Sequence, residues 1–307
     1  MTDPVPPPPG ELLCVIAVGR SGSTLLQRLL NLHEQVVLFG EHNAIVGSLA
    51  NLWQQTFDSW ARGEIERSSR FVPDILAARP VAMMDGISIE WANAFTEERA
   101  LPVFRRFLED LLYPPEIRRA DTRYWGFKEI RYGPPAVAFL ARLFPQARFL
   151  VLLRDPLAVH RSRLATGYWY PRLSPEAAAA QMQEEFQSLC DVWELLRSRP
   201  GTQARLLSYE MLLPDPQPLL DRIAAWAGLT RIDPGLAAAL MAAPGRSEPD
   251  ADPDRTERFL DLYRSGAAAR DQARWRALLE EAARQGLSLG PAAPADGPPH
   301  RHRQRRW

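Results

Sequence analysis

The sequence is poor in cysteine and has no long apolar run. Its 307 residues include two cysteines, Cys14 and Cys190, far apart in the chain, which excludes a disulfide framework and predicts two reduced, buried thiols. Charged or polar residues interrupt every apolar stretch before the roughly 18 residues that a membrane span needs. The first residues, MTDPVPPPPG, have neither the basic start nor the apolar core of a signal peptide. We therefore expect a cytoplasmic protein that has no contact with a membrane.

The chain also lacks net charge. Lys plus Arg and Asp plus Glu each number 37, which argues against sequence-independent binding of nucleic acid. Its 46% hydrophobic content is sufficient for one large core. We expect a disordered N-terminus (1–10), a single domain (11–290) and a Pro/Arg-rich tail (291–307).

Short apolar runs alternate with helical patterns through this domain. The runs that predict strands are LLCVIAV (12–18), VVLF (36–39), WGFKE (125–129), RFLVLL (148–153) and ARLLS (204–208). An unbroken apolar run such as LLCVIAV, which is followed by Gly19, is typical of a strand buried on both faces of a parallel sheet. The sequence therefore predicts an α/β fold, a doubly wound and mostly parallel sheet with flanking helices. In such folds the ligand site lies beyond the carboxyl ends of the strands.

The segment GRSGST (19–24) joins the first predicted strand to a helix. Gly19 and Gly22 allow a tight turn that presents backbone N–H groups, and the helix N-terminus adds positive potential. Arg20 contributes a forked cation. The other side chains are hydroxyl donors: Ser21, Ser23 and Thr24. Together these features predict a cradle for an anion.

This cradle differs from the phosphate loop of nucleoside triphosphatases. Ala17 stands where that loop has its first glycine, and Ser23 stands where it has its lysine. The lysine normally reaches the β- and γ-phosphates. An anion of lower charge, bound without Mg²⁺, suits this loop better, although a kinase or NTPase with a degenerate loop stays open as an alternative.

A second anion site is predicted at the end of RFLVLL. Arg154 ends this strand at the same sheet edge as Arg20, and Asp155 followed by Pro156 predicts the start of a helix. Ser162 lies about two turns along that helix. Arg154 and Ser162 could hold a separate phosphate, while the alternative pairs Arg154 with Asp155.

These motifs resemble those of the sulfotransferases that use 3′-phosphoadenosine 5′-phosphosulfate (PAPS). VGRSGSTLLQRLL resembles the family's loop for the 5′-phosphosulfate, and VLLRDPLAVHRSR resembles its 3′-phosphate motif, with Arg154 and Ser162 in the family's positions. LSYEMLLPDPQPLLDRIAAWAGL resembles a later strand and helix. The resemblance covers residues 12–42 and 124–229. It implies a P-loop-like architecture, PAPS as donor, no metal, and a carbohydrate or small-molecule hydroxyl acceptor, and it leaves the oligomeric state open.

The resemblance also implies roles for three further residues. Glu41 follows VVLF and resembles the catalytic base of the branch that contains tyrosylprotein and some carbohydrate sulfotransferases. Lys128, the only lysine in the chain, resembles the lysine that, with Arg20, stabilises charge at the transferred group. Tyr209 resembles a tyrosine near the nucleotide. Residues 43–120, outside the resemblance, are rich in aromatic residues and contain no obvious strand, so we expect a helical insertion on the acceptor side. Its tryptophans could either stack on an acceptor or belong to the core: Trp53, Trp60 and Trp91.

The chain departs from part of the family. The cytosolic phenol and steroid enzymes place a histidine base two residues after the lysine, where this chain has Ile130. Glu41 is therefore the favoured base, and Glu129 and His42 are alternatives. A non-catalytic nucleotide-binding module is a further alternative function.

Overall fold

A five-stranded parallel sheet forms the centre of the protein. The computed structural model describes residues 8–58, 61–77, 93–165, 172–213, 215–242, 253–264 and 268–287. The strands are β1 (Glu11–Ala17), β2 (Val36–Phe39), β3 (Tyr124–Glu129), β4 (Arg148–Leu153) and β5 (Gln203–Ser208). Their order across the sheet is β2-β3-β1-β4-β5, and all four pairings are parallel. The predicted doubly wound α/β fold is confirmed.

Helices connect the strands and cover both faces of the sheet. They are α1 (Ser23–Leu30), α2 (Ile45–Phe57), α3 (Ala61–Ser68), α4 (Val72–Leu76), α5 (Glu97–Leu112), α6 (Pro134–Leu143), α7 (Pro156–Ala165), α8 (Pro175–Ser198), α9 (Gln217–Ala227), α10 (Pro234–Ala242), α11 (Pro253–Arg264) and α12 (Ala268–Leu287). None of the helices in the described ranges is long and apolar enough to cross a membrane.

The core consists of two apolar layers, one on each face of the sheet. Alternate residues of β1 belong to different layers, because successive strand side chains point to opposite faces. Cys14 packs with residues of α6 and α8, and Leu13 packs with residues of α1 and α9. Cys14 and Cys190 are both buried and form no disulfide, and burial raises the pKa of Cys14.

The predicted insertion (43–120) is mostly helical where the structure describes it, with helices α2, α3, α4 and α5. Trp53 on α2 is 2% exposed, and its ring lies 4.4 Å from the Phe57 ring and 5.5 Å from the rings of Phe104 and Phe139. This tryptophan therefore belongs to the core, and the suggestion that it stacks on an acceptor is wrong. Trp60, Trp91, the tail (291–307) and most of the N-terminus (1–7) lie outside the described residues.

Two helices, α10 and α11, were not predicted from the sequence. Helix α11 begins at Pro253, within a polar stretch. Proline suits the first helical position and Asp254 suits the positive N-terminal end. The unpredicted α10 starts in the same way, because the Asp233 carboxylate accepts the N–H groups of Gly235 and Leu236 at 2.7 and 3.1 Å.

Candidate active site

One cavity of about 520 Å³ lies at the carboxyl edge of the sheet. Each strand contributes to it, because the carboxyl ends of parallel strands meet at one edge. All the residues predicted for the site line this cavity except Ser21 and Ser162. The cavity therefore brings together the anion cradle, Glu41, Lys128 and Arg154 from segments that are far apart in sequence.

The cradle depends on the conformation of Gly22. This glycine has φ 88° and directly precedes α1, so no side chain caps the helix N-terminus. A Cβ atom at position 22 would lie 2.1 Å from Cδ2 of Tyr209. Ser23 and Thr24, the first residues of α1, line the cavity. The positive end of a helix thus borders the cavity, where an anion can bind.

Substituting Gly22 by alanine is expected to destabilise the protein by about 1–3 kcal/mol, because the methyl group adds backbone strain and displaces Tyr209. Urea unfolding measures the change. The matched control is Gly47→Ala, since Gly47 lies in α2 with nothing within 4 Å of the added Cβ. The control should leave stability unchanged or raise it by up to about 1 kcal/mol. Equal effects at the two positions would contradict this account of Gly22.

Arg20 is held by both residues of the predicted 3′-phosphate motif. Its Nε donates to Ser162 Oγ at 2.9 Å, and its carbonyl accepts from Arg154 Nη1 at 2.8 Å. These contacts hold Arg20 at φ 70°, a backbone conformation that non-glycine residues rarely adopt. Ser162 is fully buried on α7, so it contacts the cradle from the interior of the protein. The two motifs, predicted separately, form one connected structure.

Arg154 and Ser21 each carry a buried polar atom that lacks a hydrogen-bond partner among the described residues. The guanidinium of Arg154 lies 4.3 Å from the ring centre of Tyr209, and its Nη1 donates to the Arg20 carbonyl. Its Nε has no hydrogen-bond partner in the part of the chain that the structure describes. Asp155 does not pair with Arg154, since its carboxylate instead accepts the N–H of Ala158 at 2.9 Å and caps α7 as predicted. The free donor fits an anionic ligand beside Arg154.

The sequence analysis missed Arg163. This residue of α7 is 5% exposed, and its Nη2 donates to the Gly19 carbonyl at 3.2 Å. The guanidinium also pairs with Glu185 on α8. Arg163 therefore fixes the first residue of the cradle against the helical layer. The signal was present, because Arg163 ends the VLLRDPLAVHRSR motif.

The carboxylate of Glu41 lies between two cations. Its Oε1 pairs with Lys128 Nζ, and its Oε2 accepts from Arg131 Nη1 at 2.8 Å. Partial burial acts to raise the pKa of Glu41, but the hydrogen bonds and charges of Lys128 and Arg131 outweigh it and hold the pKa below its usual value. Lys128 is 8% exposed. The pair thus places a potential base and a potential charge stabiliser in direct contact.

Glu129 and His42 are directed away from the cavity. Glu129 is fully buried, and its carboxylate accepts the N–H groups of Ile130 at 2.9 Å and Ala44 at 3.3 Å. His42 lies 3.1 Å from the Tyr132 hydroxyl, and burial lowers the pKa of His42. Neither residue lines the cavity. The geometry therefore favours Glu41 among the three residues considered as a base.

The described residues contain no group of three or more His, Cys, Asp or Glu side chains placed to hold a metal ion. The cavity is instead lined by cations, backbone N–H groups and one carboxylate. Such a site can bind an anionic ligand, stabilise negative charge that develops on it, and accept a proton from a neighbouring group.

Comparisons with known proteins give one family match and several similar solved structures. A family model described as the sulfotransferase family matches residues 13–234. A search of curated proteins found no match. Among solved structures, similar chains include the sulfotransferase domain of the Synechococcus PCC 7002 olefin synthase, which is 19% identical in sequence. The match covers 86% of this chain and 98% of that domain, with a TM-score of 0.42. Another is a sulfotransferase from Alicyclobacillus acidocaldarius, with 17% identity, 87% and 95% covered, and a TM-score of 0.45.

Proposed function

Because this chain belongs to the sulfotransferase family, we propose that it transfers a sulfuryl group from PAPS to a hydroxyl of a carbohydrate or another small acceptor. The observation that carries the proposal is the single cavity in which an anion cradle, Lys128, Arg154 and Glu41 meet. The donor supplies the sulfuryl group and an anionic leaving group. The residues of the chain bind it, orient the acceptor and move one proton.

The cavity residues fit a donor that carries two separate anionic groups. The cradle and the N-terminus of α1 would hold the 5′-phosphosulfate. Arg154, whose Nε is buried without a partner among the described residues, would hold the 3′-phosphate. Ser162 is expected to assist either directly or through its hydrogen bond with Arg20. Tyr209, stacked against Arg154, is expected to lie beside the nucleotide.

The transfer would break one S–O bond and form another. The acceptor oxygen attacks sulfur in line with the leaving oxygen, Glu41 takes the acceptor proton, and 3′-phosphoadenosine 5′-phosphate leaves. Lys128 and Arg20 would stabilise the charge that develops on the leaving oxygen. Because Lys128 pairs with Glu41 in the ligand-free protein, it must release the carboxylate to do so. Donor binding would thereby free the base beside the acceptor.

The test is turnover of PAPS with a panel of hydroxyl acceptors in the presence of EDTA. Chromatography with mass spectrometry would follow 3′-phosphoadenosine 5′-phosphate and the sulfated product together. The proposal predicts equal amounts of both, with no need for metal. If the protein instead phosphorylates an acceptor from ATP with Mg²⁺, the proposal is wrong and the chain is a kinase.

A further inference from the structure

Arg131 lies beside the site and contacts both glutamates of this region. Its Nη1 donates to Glu41 Oε2 at 2.8 Å and lies 3.4 Å from Glu129 Oε1. The side chain is 49% exposed, and Arg131 does not line the cavity. Its guanidinium therefore approaches the Glu41 carboxylate from outside, on the oxygen opposite the one that pairs with Lys128.

Glu129 anchors this arrangement from the interior. Its fully buried carboxylate accepts the N–H of Ala44 at 3.3 Å, in the segment that follows Glu41. Asn43 and Ala44 have φ values of 55° and 57°, a conformation that non-glycine residues rarely adopt. Glu129 thus holds the strained turn that follows Glu41, and it also contacts the cation that binds Glu41.

We propose that Arg131 is the positioning residue for Glu41. The inference rests on the proposed function, in which Glu41 is the base and Lys128 moves to the donor. When Lys128 leaves Oε1, Arg131 keeps Oε2 fixed and leaves Oε1 free to accept the acceptor proton. The second contact of Arg131, with Glu129 Oε1 at 3.4 Å, favours a guanidinium that stays beside Glu41 when Lys128 moves.

The charged groups around Glu41 determine the sign of the expected pH effect. Lys128 and Arg131 contact its carboxylate, Arg20 and Arg154 line the same cavity, and Glu129 is the neighbouring acid. Adjacent His42 contacts the Tyr132 hydroxyl and lies 3.9 Å from Glu129 Oε2, away from Glu41. Removing one cation from a carboxylate disfavours its charged form. Loss of Arg131 must therefore move the titration of Glu41 to higher pH, and the acid limb of the pH–rate profile must move with it.

The experiment compares wild type with Arg131→Ala, Arg131→Lys and the control Arg197→Ala. Arg197 has a similar exposure of 53% and an ion pair with Glu194, but it lies at the end of α8, at the opposite edge of the sheet. The titration of Glu41 is read by ¹³C NMR of labelled glutamate, assigned with Glu41→Gln. This measurement is made on the full chain, free and bound to 3′-phosphoadenosine 5′-phosphate, and needs no turnover.

We expect Arg131→Ala to shift the titration midpoint of Glu41 to higher pH and to lower kcat about tenfold, while the donor Kd changes by less than about twofold. Arg131→Lys should have a Glu41 midpoint close to that of wild type and a kcat between those of wild type and Arg131→Ala. Lysine keeps the positive charge but lacks the forked guanidinium. Arg197→Ala should match wild type in every measurement.

An unchanged Glu41 midpoint in Arg131→Ala would overturn the inference, and so would a shifted midpoint with unchanged kcat. Failure of the proposed function is distinguishable from both results. In that case wild type shows no turnover of PAPS, although Arg131→Ala still shifts the Glu41 midpoint. Arg131 would then be the ion-pair partner of a carboxylate that is not a base, and its positioning role would be refuted.

Discussion

Replacing Glu41 by glutamine is expected to lower kcat about a thousandfold, since a positioned general base contributes about 10²–10⁴-fold to a rate. Glutamine keeps the size of the side chain but cannot accept the acceptor proton. The donor should bind with no loss of affinity, because Glu41 lines the cavity as an acid paired with Lys128 and offers no hydrogen-bond donor or positive charge to an anionic ligand. The predicted signature is thus a large loss of turnover without a loss of binding.

Turnover is measured with PAPS and a working acceptor, and binding by calorimetric titration with 3′-phosphoadenosine 5′-phosphate. The matched control is Glu34→Gln, because Glu34 is an exposed glutamate that precedes the same strand, β2, at the opposite edge of the sheet. The control should retain wild-type turnover. Full activity of Glu41→Gln would assign the base to another residue.

Replacing Arg154 by alanine is expected to weaken donor binding about 10–100-fold. A hydrogen bond between a guanidinium and a phosphate contributes about 1.5–3 kcal/mol, and the substitution also removes the contacts of Arg154 with the Arg20 carbonyl and the Tyr209 ring. The loss should appear in Kd and KM for the donor more than in kcat at saturation.

A ligand comparison separates loss of a phosphate contact from general damage. Wild type should bind 3′-phosphoadenosine 5′-phosphate more tightly than adenosine 5′-phosphate, and Arg154→Ala should lose most of this difference. Arg197→Ala, a substitution of a surface arginine on α8, should keep it. If Arg154→Ala weakens both nucleotides equally, Arg154 does not bind the 3′-phosphate.

The sheet could be predicted because its strands are short and mostly apolar, and β1, β3 and β4 are buried almost throughout. All five predicted runs are strands, with ends that differ by one residue at most. Their shared carboxyl edge follows from the parallel arrangement, which is why Arg20, Glu41 and Arg154 could be expected to meet. The start of α10 could also have been found, because Asp233-Pro234 repeats the signal of Asp155-Pro156 at α7.

The contacts within the site could not be predicted in the same way. Arg20 and Ser162 are 142 residues apart, and Gly19 and Arg163 are 144 apart, so their contacts depend on how α7 packs beside the cradle. Local patterns carry no information on such distances. The position of Arg131 likewise depends on the loops after β2 and β3 together.

The alternation of side chains along β3 could have shown that Glu41, and not Glu129, is the better candidate for the base. Lys128 and Glu129 are neighbours on β3, so their side chains point to opposite faces of the sheet. Lys128 lines the cavity, and Glu129 is buried against the backbone of Ala44 and Ile130. Alternation along β3 alone would have separated Glu129 from a site that contains Lys128.

The most direct test of the central claim is calorimetric titration of the protein without metal. The ligands are 3′-phosphoadenosine 5′-phosphate, adenosine 5′-phosphate and ATP, the last also with Mg²⁺. The account predicts micromolar-range binding that requires the 3′-phosphate and needs no metal. Absence of binding, or a preference for ATP with Mg²⁺, would contradict it.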